Sequence, residues 1–181
     1  MILKIINYIL FQAAWFSCVL GGAYDKPIAA VAMSAIVIVI SLYFRKKYLI
    51  EDLILIIIVS AVGFCIDSLN LYFGIFSLKG NDLNSYICPI WLILLWSNLA
   101  AIMRNSLSWL ANKYFLSAIL GAIAGGPCYF AGARMGAVTL NDNWVLSAVS
   151  LTITWALVMP LLTWLAHGSF QDFSRKIVNH Q

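Results

Sequence analysis

The chain has 181 residues, 63% of them hydrophobic and only 10% charged, with a mean hydropathy of +0.93. Soluble domains run near about 45–50% apolar and about 25% charged, so an aqueous globular domain is excluded and lipid is the solvent that suits this composition. The net charge of +4 falls in short connections between apolar runs, where it attracts anionic headgroups rather than nucleic acid.

A spanning helix needs about 20 apolar residues. Six apolar segments are bounded by charges or by Pro, Gly and Asn, at 5–24, 27–44, 53–76, 87–103, 114–136 and 144–166. They predict an all-α, polytopic integral membrane protein, a six-transmembrane-helix bundle forming a single domain over 1–181. The first segment imitates a secretory signal, with Lys4 ahead of an apolar run and Gly21-Gly22-Ala23 after it. Gln12, Trp15 and Phe16 inside the run argue for a retained helix. Tyr8, Gln12, Trp15 and Gly22 lie close to one face of it, and Gln12 needs a partner in lipid, so this face is expected to look inward.

The third segment carries Ser60, Gly63, Asp67, Asn70 and Gly74 at steps of three and four, one face of a helix. Its small residues allow a neighbouring helix to approach closely. An Asp in hydrocarbon is costly, so Asp67 is expected to face the bundle interior and to mark a site. The other reading is interhelical glue, with Asp67 hydrogen-bonded to Asn98 or Thr154. The connection from Ser77 to Tyr86, rich in Gly, Asn and Ser, reads as a loop or short lid. The fourth segment contributes Asn98 near the central layer. The fifth contains two small-xxx-small pairs, Gly121/Gly125 and Gly132/Gly136, with Pro127 between them to bend the helix. Such an interruption either lines a binding site, as in transporters, or is a packing kink. Arg134 at the end of this segment either pairs with Asp67 or snorkels to the rim. Most tryptophans read as interface belt residues, while Trp96 and Trp155 fall deeper, where they could line a cavity. The tail after His167 is a candidate interfacial helix.

Lys4, Arg45, Lys46, Lys47, Arg104, Lys113, Arg175 and Lys176 fall on one side of this arrangement, against Lys26, Lys79 and Arg134 on the other. The positive-inside rule then places both termini in the cytoplasm. Cys18, Cys65, Cys88 and Cys128 form no C-x-x-C pair and read as packing residues. His167 and His180 are too far apart in the chain to suggest a metal site, and neither a metal nor another cofactor is expected.

The chain also shows Phe11-Gln12-x-x-Trp15, Pro89-x-Trp91-Leu92 followed by Leu95-Trp96, and Ser106-Leu107-x-Trp109-Leu110. Further on come Gly125-Gly126-Pro127-x-Tyr129-x-x-Gly132-x-x-x-Gly136-Ala137 and Pro160-Leu161-Leu162. In this order the set resembles a bacterial inner-membrane family catalogued as domain of unknown function 2878. The resemblance implies a small polytopic protein of the inner membrane of Gram-negative bacteria with no established activity. Relatives encoded near genes of fatty-acid or phospholipid modification point to membrane lipids and lipid-modifying enzymes as partners. No catalytic residue is carried over.

Three functions are compatible with these features. The first is a non-catalytic protein that binds a lipid or other hydrophobic small molecule within the bundle, in support of membrane lipid modification. The second is a solute-transport subunit with the outline of the vitamin-binding component of energy-coupling-factor transporters. The third is a membrane enzyme using Asp67, for which a second acid or base is not evident. The expected ligand-binding residues are Gln12, Trp15, Asp67, Asn70, Asn98, Tyr129, Arg134 and Trp155, around a cavity between the first, third, fifth and sixth segments.

Overall fold

The computed structural model describes residues 2–78 and 86–168. Helices α1 (Ile2–Ala23), α2 (Pro27–Phe44) and α3 (Leu49–Tyr72) come first. A short strand β1 (Phe76–Leu78) and helix α4 (Ile90–Met103) follow. Next come α5 (Tyr114–Leu120), a π-helical turn over Gly121–Gly125 and α6 (Gly126–Arg134), forming one interrupted rod. Strand β2 (Val138–Leu140) and helix α7 (Trp144–His167) complete the order. Five of the rods, counting α5 to α6 as one, are long and apolar enough to cross a membrane; α4, at 14 residues, is shorter. The result is an all-α bundle of the membrane type.

Pro27 at the start of α2 fits the first turn, where its missing N–H has no helical acceptor. Burial along the rods is one-sided, as lipid demands. On α3, for example, Asp52, Leu55, Val59, Gly63, Asp67, Asn70 and Leu71 are buried, while Leu53, Ile57, Phe64 and Leu69 are exposed. Helix α1 packs along α2 and α4, and α3 along α4, whereas α5, the π turn and α6 pack along α7. Helix α7 also touches α4 and α3, which joins the two groups.

Among the predicted boundaries that shift, two C-terminal ends do so for the same reason. The third segment ends at Tyr72, not 76, and the fifth at Arg134, not 136. In each, the C′ residue is a glycine with positive φ, Gly74 at 65° and Gly136 at 80°. Around Gly74, the Gly74 N–H donates to Leu71 O and the Ile75 N–H to Asn70 O. Around Gly136, the Gly136 N–H donates to Ala133 O and the Ala137 N–H to Gly132 O. These are paired Schellman ends, and each turns its chain directly into a strand. Strands β1 and β2 pair antiparallel, with Ser77 opposite Thr139, and so tie α3 to α6 at the sheet end of the bundle. Gly74 therefore leaves the helical stripe to which its spacing assigned it. The expected loop from Ser77 is a strand through Leu78, and its remainder before Tyr86 lies outside the described residues, as does the expected helix in the tail.

At the opposite, basic end a buried carboxylate holds three elements. Asp52, in the first turn of α3, accepts from Arg45 Nε at 2.7 Å and from Arg104 Nη1 at 2.8 Å. Arg45 also donates to the Arg104 carbonyl. Both guanidinium groups lie over the Tyr48 ring, at 5.1 Å and 5.6 Å. Burial lowers the Arg104 pKa and the Asp52 charge opposes that shift; arginine starts so far above neutrality that it stays charged. Arg104, read from sequence only as a topology charge, is thus a structural ligand of α3. Removing the carboxylate leaves two largely buried cations without their counter-ion. Asp52→Ala is expected to cost about 3 kcal/mol, read as a lowered Tm in detergent, and an unchanged Tm would show that the clamp is ornamental.

Candidate functional site

A half-open cavity of about 740 Å3 lies between α1 and the interrupted α5–α6 rod and is floored by α4 and α7. On α1 it is lined by Lys4, Ile5, Tyr8, Phe11, Gln12, Trp15 and Val19, one continuous face at helical spacing. Facing this are Leu120, Gly121, Ala124, Gly125, Cys128, Tyr129 and Gly132. Trp91, Leu95, Trp96 and Leu99 on α4, with Trp155 and Met159 on α7, complete the floor. Ser106, Leu107, Trp109 and Leu110 close the basic end, and Val138 the sheet end. Its size is within the roughly 300–1,000 Å3 of small-molecule sites, and like them it is mostly apolar with a few polar groups.

Four layers of matched shape build its floor. The Trp96 and Trp155 rings stack with centroids 4.9 Å apart and planes 2° from parallel. The pair is held between two glycines. A Cβ at Gly63 would fall 2.1 Å from the Trp96 ring, and one at Gly125 would fall 2.1 Å from the Trp155 ring. The π turn carries Gly125 against α7, and Pro127, which lacks a backbone donor, follows in the first turn of α6. The interruption predicted at Pro127 is thus a wider turn that begins six residues earlier, at Gly121.

Asp67 lies directly behind this floor, fully buried. Trp96 Nε1 donates to its Oδ2 at 2.7 Å, and the Tyr129 hydroxyl donates to its Oδ1 at 2.5 Å. The Tyr129 ring also packs against Phe76, with centroids 5.0 Å apart. Asp67 therefore anchors two cavity-lining aromatics from different helices, α4 and α6, and does not itself line the cavity. Its partners are neither Asn98 nor Thr154.

The expected site residues divide accordingly. Gln12, Trp15, Tyr129 and Trp155 line the cavity together. Asp67 backs it, while Asn70 is buried on α3 outside the lining. Asn98 is buried on the far side of α4, where it donates to Ser34 Oγ and to the Leu94 carbonyl. Arg134 is exposed at the end of α6 and does not reach Asp67. The third wall is α4, in place of the α3 expected from sequence. Trp91, assigned to the interface belt, is buried and lines the cavity. Sequence reasoning also missed Lys4 and Ser106 as lining residues. For Lys4 the signal was present, because it continues the Tyr8-Gln12-Trp15 face by one turn. Among the described residues, no group of three His, Cys, Asp or Glu side chains is placed to hold a metal ion.

A family model described as protein of unknown function, DUF2878, matches residues 4–161. No curated protein and no solved structure matches the chain.

Proposed function

The chain belongs to the DUF2878 family, and we propose that it is a non-catalytic membrane protein that binds the hydrocarbon chain of a lipid between α1 and α5–α6. The observation that carries this reading is the cavity itself, long, aromatic and apolar, with its polar groups confined to a few positions. Asp67 stands behind the wall with both oxygens engaged, which favours binding over chemistry by this carboxylate. In this reading the basic end faces the cytoplasm, by the positive-inside rule, the membrane is the bacterial inner membrane, and the bound lipid is held in support of lipid-modifying enzymes.

Native mass spectrometry of the purified full chain tests the proposal. A lipid or fatty acid is expected to co-purify. Ala124 lines the cavity and is exposed, so Ala124→Trp fills the space without disturbing a packed contact, and retention is expected to fall about tenfold. A retained water-soluble vitamin would support the transport reading instead. Equal lipid retention by Ala124→Trp would remove the cavity from consideration.

A further inference from the structure

The cavity has a chemical polarity that identifies its occupant more closely. Among the described residues, Lys4 is its one charged lining side chain, and it stands at the basic end beside Ser106 and Trp109. The Lys4 ammonium donates to Ser108 Oγ at 2.7 Å and remains exposed. Lys113, whose ammonium is 5.8 Å from the Trp109 ring, does not itself line the cavity. From this end the lining runs along α1 to Val19, which lies roughly 22 Å away at about 1.5 Å per residue. Among the described residues, neither Asp nor Glu lines any part of it.

The volume decides between two kinds of lipid. A cavity of about 740 Å3 is of the size that holds one small molecule, enough for one acyl chain but too small for the two chains and headgroup of a diacyl lipid. One extended chain entering from the basic end runs along the α1 face toward Val19. One lining ammonium matches one negative charge on the head of that chain. We propose that the occupant is a single-chain monoanionic amphiphile, a long-chain fatty carboxylate, with its carboxylate at Lys4 and its tail running past Gln12 and the Trp96–Trp155 stack toward Val19 and Val138.

This inference rests on the chain-binding reading above, and the test separates the two. Binding of palmitate, hexadecanol and lysophosphatidic acid to the full-length protein in nanodiscs is followed by tryptophan fluorescence, which the stacked indoles report. Wild type is expected to bind palmitate more tightly than either of the others. Lys4→Gln is expected to weaken palmitate about tenfold, the size of one charge-assisted hydrogen bond, and to leave hexadecanol unchanged. Lys4→Arg is expected to retain palmitate binding, and unaltered hexadecanol binding shows that the Lys4→Gln cavity is intact. Equal affinity of wild type for palmitate and hexadecanol, or undiminished palmitate binding by Lys4→Gln, would overturn the carboxylate assignment while leaving chain binding in place. Preference for lysophosphatidic acid would overturn it in favour of a phosphate head. Absence of binding by all three, or binding unaffected by Ala124→Trp, would overturn the chain-binding reading itself.

Discussion

Asp67→Leu is expected to lower the stability of the bundle by about 2–4 kcal/mol, because it strands two buried donors at once. The Trp96 indole N–H and the Tyr129 hydroxyl both point at this carboxylate, and hydrocarbon offers neither another acceptor. Asp67→Asn is a different case. Its amide oxygen can still accept from Trp96, and its NH2 can donate to the Tyr129 oxygen, which accepts as well as donates. The expected cost is about 1 kcal/mol. Thermal unfolding of both variants in the same detergent measures the difference. Since Asp67 does not line the cavity, lipid retention should follow stability in the two variants. Loss of lipid from a fully stable Asp67→Asn would mean that the carboxylate contacts the ligand, against the geometry described above.

Gly125→Leu is expected to be at least as damaging. The branched side chain must occupy the space of the Trp155 ring, which a single added Cβ would already meet at 2.1 Å. The ring cannot retreat, because Trp96 lies flat against its other face and Gly63 of α3 backs Trp96. Overpacking of this kind costs about 1–3 kcal/mol even where neighbours yield, and the stacking itself contributes about 0.5–1.5 kcal/mol. Unfolding in detergent or failure to accumulate in the membrane is the expected result. Gly132→Ala makes the control, since a Cβ there meets nothing closer than Val138 Cγ2 at 3.8 Å. Equal behaviour of the two variants would refute the sandwich as the determinant.

Much of the arrangement was legible because it depends on local periodicity. The α1 face of Tyr8, Gln12 and Trp15 repeats at helical spacing, and a glutamine in lipid has a strong reason to point inward. The same cost turns Asp67 inward. What could not be read was the identity of the partner. Trp96 lies 29 residues from Asp67 and Tyr129 lies 62, and several inward polar groups at similar depth, Asn98 and Thr154 among them, were equally eligible on distance along the helix alone.

The membrane class, the order of the helices and the inward turn of Gly63, Asp67 and Asn70 on α3 followed from the sequence by itself, because each is set by burial and hydrogen bonding within a few turns of chain. The buried face of α1, with Asn7, Ala14 and Cys18, did not. Only the tertiary structure decided which helices wall the cavity and what Asp67 does there. Gly63 and Gly125 have no Cβ, so the Trp96–Trp155 pair closes flat between α3 and the π turn. That packing covers the polar face of α3 and leaves α4 to form the wall. The pairing of β1 with β2 was likewise invisible, since Gly74 and Gly136 end their helices with a left-handed residue whose value lies in bringing two distant strands together. Small residues mark places where helices approach, but which ring meets which glycine is settled only when all the helices pack at once.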